Sequence, residues 1–181
     1  MRAHEVTASR YAKALFMAAR EAGAVTPVGA ELEAFAKALE GSEEARAVLS
    51  RPWIEAADRR GIATALAVGT GARPLVRDFA GLLAERGRVD HLPEICAAYR
   101  ALLDEDLGQA RAVVRSAVPL APEAKQQLSG RLAQILGKRI ILEEHPDPGL
   151  LGGFVAQVGS LILDASLDGQ LARLRQRLAR G

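Results

Sequence analysis

The sequence predicts an α+β protein of two domains: a six-helix bundle over residues 1–106, then a small β-α-β-β-α domain over 107–181. Three observations carry this. Residues 4–103 hold six stretches of helical periodicity joined by short Gly, Pro and Ser connections, the pattern of a compact antiparallel bundle. After Asp104-Glu105-Asp106-Leu107-Gly108 the apolar period changes from helical to alternating. The charge changes there too. Residues 1–108 carry 14 Lys+Arg against 16 Asp+Glu, a net −2, and residues 109–181 carry 10 against 6, a net +4.

The first helical pattern covers residues 4–22, and Ala12, Leu15, Phe16 and Ala19 form one stripe on it. A flatter stripe of Tyr11, Ala14, Ala18 and Ala22 lies beside the first, more apolar surface than one buried face requires. Gly23 and Pro27 are expected to end this helix. Val28, Leu32, Phe35, Ala36 and Leu39 mark a second helix, closed by Gly41. Ser42 followed by Glu43 and Glu44 is the start signal of a short third one, stopped by Pro52. Glu55–Val68 is a weaker fourth helix, interrupted at Gly61. Arg73–Glu85 is the fifth, with Pro74 in its first turn. It too is apolar on two sides, with Leu75, Phe79 and Leu82 on one and Val76, Ala80 and Leu83 on the other. Asp90 is expected to cap the sixth helix, which carries Leu92, Ile95, Tyr99, Leu102 and Leu103.

In the second half, Arg111–Val118 reads as a strand around Ala112-Val113-Val114. Pro119 and Pro122 lead into a helix with Leu128, Leu132, Ile135 and Leu136 inside. Arg139–Glu144 is a second strand, and His145-Pro146-Asp147-Pro148-Gly149 breaks it. Phe154–Asp164 reads as one third strand, with Phe154, Ala156, Val158, Ser160 and Ile162 on one face and Val155, Gln157, Gly159, Leu161 and Leu163 on the other. Gly152-Gly153 at its start suggests a bulge or a close backbone approach. A right-handed crossover makes strands one and two parallel, and the 145–149 turn is expected to pair strands two and three antiparallel. Leu167, Leu171, Leu174 and Leu178 form one stripe of a final helix, with Arg173, Arg175, Arg177 and Arg180 off it. Part of that stripe is expected to cover the three-stranded sheet.

The chain has 181 residues, 49% apolar and 25% charged, the balance of a soluble globular protein. Aromatics make up only 4%, so Ala, Leu, Val and Ile must build the core. The net +4 of the second half, with no dense Lys/Arg block, is weak evidence for a nucleic-acid or membrane-surface partner. Cys96 is the single cysteine; it excludes an internal disulfide, fits a reducing compartment and reads as a small core residue. No apolar run reaches the roughly 18–20 residues of a membrane span, and the N-terminus lacks a signal-peptide core. A cytoplasmic protein is expected, with membrane association only through a partner.

Reaction chemistry is hard to find. His4, His91 and His145 have no metal-ligand spacing. Gly137-Lys138 lacks the rest of a phosphate loop, and Gly69-Thr70-Gly71 has no strand before it. Gly149-Leu150-Leu151-Gly152 matches the GxxG of a KH module but follows a strand instead of joining helices. The acid pairs Asp104/Asp106 and Glu143/Glu144 read as solvated ends, and Trp53 as a loop anchor. No catalytic, cofactor or metal site is expected.

The order of several structural motifs carries a resemblance. Arg10-Tyr11-Ala12-Lys13-Ala14-Leu15-Phe16 resembles the opening of the delta subunit of bacterial rotary ATP synthases, a family related to the mitochondrial oligomycin sensitivity-conferring protein. Leu92-Pro93-Glu94-Ile95 with Tyr99-Arg100-Ala101-Leu102-Leu103 is similar to the family's sixth helix, and Ser116-Ala117-Val118-Pro119-Leu120 to its strand-to-helix junction. Asp147-Pro148-Gly149-Leu150-Leu151-Gly152-Gly153-Phe154 and Leu163-Asp164-Ala165-Ser166-Leu167 are similar to its C-terminal signature. Gln157, where the family often has a basic residue, and Ala165, where it often has Gly, depart from the pattern.

The resemblance implies a non-catalytic stator connector. It would hold the N-terminal helix of an alpha subunit on the helical domain and the b subunit of the peripheral stalk on the C-terminal one. Proton-driven rotation would thereby be coupled to ATP synthesis, at the cytoplasmic face of the cell membrane and without nucleic acid. The surplus stripes supply candidate surfaces: Tyr11, Ala14, Leu15, Ala18, Val76, Phe79 and Leu83 for the alpha helix, and Val155, Leu167, Leu171, Leu174 and Leu178 for the b subunit. On residues alone, the stripes of the first and fifth helices serve equally well as packing within the bundle. The other functional class to weigh is a βαββα nucleic-acid-binding domain with a helical dimerisation module, although its strands offer only Phe154 for base stacking.

Overall fold

Eight α-helices and one four-stranded sheet make up the described chain, divided into two compact units, Met1–Leu103 and Asp104–Gly181. The structure is a computed structural model that describes residues 2–51, 53–159 and 161–180, the side chains at 2–5, 177, 179 and 180 excepted. Pro52 and Ser160 therefore lie outside the described residues, as do the side chains of His4, Arg177 and Arg180.

The first unit is built on α1 (Arg2–Glu21), α2 (Val25–Gly41), α3 (Glu43–Leu49), α4 (Ala56–Gly69), α5 (Pro74–Glu85) and all but the last turn of α6 (Leu92–Asp106). Their apolar stripes meet in one core that includes Ala12, Leu15, Phe16, Leu32, Phe35, Val76, Leu83, Ile95 and Tyr99. With few aromatics available, Tyr99 anchors it by a ring contact and a hydrogen bond. Phe16 meets Tyr99 edge-on at 5.5 Å, and the Tyr99 hydroxyl donates to the Val25 carbonyl at 2.8 Å. Burial thus leaves no polar atom of that ring unpaired. Pro27 lies inside the first turn of α2, where its missing N–H costs nothing, and does not end α1. Gly61 does not interrupt α4, because the helix packs along its length on α5. The sixth helix begins through a 3-10 turn, Val89–His91. Asp90 does not cap it and instead accepts a hydrogen bond from Ser50 Oγ at 3.4 Å.

The second unit runs β1 (Gln109–Ser116), α7 (Pro122–Leu136), β2 (Arg139–Pro146), β3 (Phe154–Val158), β4 (Leu161–Asp164) and α8 (Leu167–Arg180). β1 and β2 pair in parallel, but the sheet order is β2-β1-β3-β4. The expected pairing of the second and third strands does not occur: β3 adds antiparallel to the far side of β1. Composition explains the choice. Ala112, Val114 and Ser116 of β1 are fully buried and suit a central strand, whereas Glu143 and Glu144 put β2 at an edge. The single strand expected over Phe154–Asp164 is a hairpin, with Val158 opposite Leu161 and Gly159 at φ +57° in the turn. The turn resets the alternation. Leu163 pairs with Ala156 and joins the core, while Ile162 pairs with Gln157 on the other face. Helix α7 covers the inner face through Leu128 and Leu132; Ile135 points to solvent.

Candidate partner-binding surfaces

Helices α1 and α5 leave a groove of about 650 Å³ between them, lined by Thr7, Arg10, Tyr11, Ala14, Leu15, Ala18, Leu75, Asp78, Phe79, Leu82 and Arg88. Small side chains on α1 make it possible, because Ala14 and Ala18 leave space beside the larger Tyr11. Tyr11 meets Phe79 edge-on, with centroids 6.4 Å apart. The floor is apolar and Arg10, Asp78 and Arg88 stand at its margin, so an amphipathic helix would find both an anchor row and charged flanks. Of the seven residues expected here, five line the groove. Val76 and Leu83 do not: both are buried in the core, and Leu75 and Leu82 of the same helix take the groove side. Two apolar stripes on one helix can be told apart only when the packing of its neighbours is known.

A larger groove of about 880 Å³ lies between α2, α3 and α6, with Ala36, Leu39, Val89, Leu92 and Pro93 among its lining residues. Its mouth is charged, with Glu33 bound to Arg100 at 2.7 Å. Cys96 is half-buried there, packed against the core; burial, with Glu33 nearby, pushes its thiol up to about 12, so it stays protonated. No sequence signal pointed to this groove, because its lining comes from three helices with ordinary amphipathic patterns.

In the second unit the fold leaves most of the α8 stripe open, although Leu167 at its start lies against Gly152. Leu167, Leu171, Leu174 and Leu178 are 47%, 49%, 53% and 75% exposed. The expectation that part of this stripe covers the sheet is thus corrected. The inner face is already closed by α7, and α8 leaves β4 through a tight capped turn that carries it away. In that turn Ser166 N–H and Oγ–H donate to Asp164 Oδ1 at 2.9 and 2.6 Å, and Gly169 N–H donates to Ser166 Oγ at 3.0 Å. These bonds hold the Asp164 carboxyl below its usual range. The glycine pair explains itself here: a Cβ on Gly153, at φ +77°, would meet the Ala165 carbonyl and Ser166 Cα. Val155 sits half-buried on the uncovered sheet face, which also carries exposed Val113 and Ile162.

The acid pairs are structural. Asp104 is buried and takes Arg111 Nε at 2.7 Å, while Arg111 Nη1 reaches Glu143 at 2.7 Å. Glu144 accepts from Leu120 N–H, Lys125 Nζ and Ser116 Oγ, which together lower its carboxyl from the usual range. Asp104 and Glu144 are therefore not solvated ends: each is fixed by cations and donors that tie strand to helix. Trp53 anchors nothing; it is largely exposed, with the Arg51 guanidinium 5.7 Å from its ring centre. Among the described residues no group of three His, Cys, Asp or Glu could hold a metal ion, and no helix is long and apolar enough to cross a membrane.

Residues 7–178 match the family described as ATP synthase delta (OSCP) subunit. The chain is 44% identical over 171 residues to ATP synthase subunit delta of Anaeromyxobacter sp. strain Fw109-5, covering 94% of this chain and 96% of that one. It is 39% identical to the subunit of the same name in Solidesulfovibrio magneticus, covering 97% of both. In fold it is similar to a chain of the Toxoplasma gondii mitochondrial ATP synthase hexamer, with a TM-score of 0.70 and 20% identity over 95% of this chain and 97% of that one.

Proposed function

This chain belongs to the ATP synthase delta (OSCP) subunit family, and from that premise we propose that it works as a non-catalytic connector in the stator, linking the catalytic head to the peripheral stalk. The first unit holds the N-terminal helix of an alpha subunit in the α1–α5 groove. The second unit holds the b subunit through the α8 leucine stripe and the sheet face around Val155. The chain then resists rotation of the head while the rotor turns, at the cytoplasmic face of the membrane and as a peripheral member of the complex. The observation that supports this most is that the family match, residues 7–178, runs through both units, while each unit carries an apolar surface that its own packing leaves open. A connector needs two separate grips, and these are separate. No observation favours a nucleic-acid reading; Phe154, the strand aromatic, packs against the core and offers no stacking face.

The test is co-purification of the tagged full chain from cells that make the complex. Alpha and b subunits should both come down, and a Tyr11→Ala chain should lose alpha while keeping b. Recovery of neither subunit with the wild-type chain overturns the proposal.

A further inference from the structure

Three charged side chains stand at the margin of the α1–α5 groove: Arg10 on α1, Asp78 on α5 and Arg88 just past the end of α5. All three are exposed, and among the described residues none makes an ion pair or a side-chain hydrogen bond. Arg10 and Asp78 do not pair with each other, although the residues that follow them, Tyr11 and Phe79, meet across the groove. The margin thus offers two cations and one anion that the described fold leaves unpaired, above a floor of Tyr11, Leu75, Phe79 and Leu82. Resting on the stator reading, we propose that this groove selects its occupant by charge as well as by shape. The bound helix carries an apolar ridge for the floor and, beside the ridge, more Glu and Asp than Lys and Arg.

Shape and charge together decide among occupants. The same groove on a second copy is concave too, so two of them face to face would leave the cleft unfilled, whereas a helix fills it. A second copy could instead offer α8, whose leucines are exposed. That helix carries Arg173, Arg175, Arg177 and Arg180 against Asp168 alone, and Asp168 Oδ2 already accepts the Leu151 N–H at 3.2 Å. Its excess charge has the sign of the excess on the groove margin, so charge opposes that docking as a whole. An acidic helix meets the opposite sign. Each exposed pair adds little affinity, but the margin steers encounter and rejects helices of like sign, while the apolar floor supplies the affinity. The alpha N-terminal helix is thereby assigned to the acidic amphipathic class.

Two stapled helical peptides test this, sharing one apolar ridge and carrying Glu or Lys beside it. Each is titrated into the full chain by calorimetry, with the alpha N-terminal peptide beside them. At low salt the Glu peptide should bind about tenfold more tightly than the Lys peptide, and the gap should close near 1 M salt, where the screening length is about 3 Å. The alpha peptide should displace the Glu peptide, and Tyr11→Ala should weaken both designed peptides, which assigns their binding to this groove. Arg10→Glu together with Arg88→Glu should reverse the preference, and Asp78→Lys should widen it by about threefold. All three positions are exposed, and circular dichroism checks the fold of each variant. Equal binding of the two peptides, binding of neither, a preference unmoved by the charge reversals, no displacement by the alpha peptide, or self-association that Tyr11→Ala removes overturns the proposal. In each of these cases the stator reading stands if the alpha peptide binds the wild-type chain and Tyr11→Ala weakens it. If the alpha peptide does not bind at all, the first grip of the stator reading fails with the proposal.

Discussion

Gly153 shows how a single residue sets the geometry of the second unit. At φ +77° and with the 165–166 backbone against its Cα, it accepts no side chain. Gly153→Ala should destabilise the unit by about 2–3 kcal/mol, read as a lower denaturant midpoint. Gly130→Ala is the control: Gly130 lies in α7 with open space around it, and the change should stabilise by about 0.5–1 kcal/mol. Glu144 and Asp164 make the same unit sensitive to acid. Both carboxyls titrate below their usual range in the folded chain. Their contribution is complete above the ordinary carboxylate range and is lost as the pH falls from that range through the lowered folded values. The denaturant midpoint should therefore be flat from neutral pH down to the ordinary carboxylate range and drop below it, and Glu144→Gln should shrink the drop. In the first unit Tyr11 and Phe79 touch, yet their truncations should differ. Half-exposed Tyr11 lines the groove, and if it anchors the partner as proposed, Tyr11→Ala should weaken binding of an alpha N-terminal peptide by about 1–3 kcal/mol with little change in melting temperature. Phe79 is nearly buried, so Phe79→Ala should also lower the melting temperature, by leaving a cavity.

At the scale of elements, α8 carries the clearest consequence. Its leucines are exposed, so removing residues 167–181 should abolish b binding while alpha-peptide affinity stays at the wild-type value. Leu178→Asp probes the last turn more gently: the fold should tolerate the charge, because the side chain is largely in water, and a buried joint should not. If both changed chains bind b like wild type, the stalk attaches elsewhere. The helix itself was legible in the sequence, because a four-three-four leucine spacing has a single periodic meaning. Its exposure was not, since the same spacing serves a helix packed on its own sheet. The strands divide similarly. Alternation around Ala112-Val113-Val114 and Ile140-Ile141 located β1 and β2, but nothing local to Phe154–Asp164 said that Gly159 turns the chain and sends Ile162 to the opposite face from Ala156. Pairing order is decided by which strand can be buried on both edges, and β1 wins that contest by its side chains. The α1–α5 groove was half legible for the same reason: the sequence located two apolar stripes on α5, and packing decided which one turned inward.

At the scale of the whole molecule, the two cores are separate lists of residues. One runs from Ala8 to Tyr99 and the other from Ala112 to Ala156. Between α6 and β1 only Leu107 and Gly108 intervene. A connector that carries load between two partners benefits from this division, since each grip can be stabilised by its own core. The division also makes a prediction. A fragment of residues 1–105 retains every residue of the first core and of the α1–α5 groove, and its losses fall at the end of α6, where Asp104 gives up Gln109 and Arg111 and the Glu105 carbonyl gives up the Gly108 N–H. It should fold alone as a helical domain, melt cooperatively, and bind an alpha N-terminal peptide with the affinity of the full chain. Circular dichroism of an unfolded fragment would show that the first unit depends on the second. A folded fragment without calorimetric binding would remove the groove from the α1–α5 surface and leave the larger one between α2, α3 and α6 as the place to look.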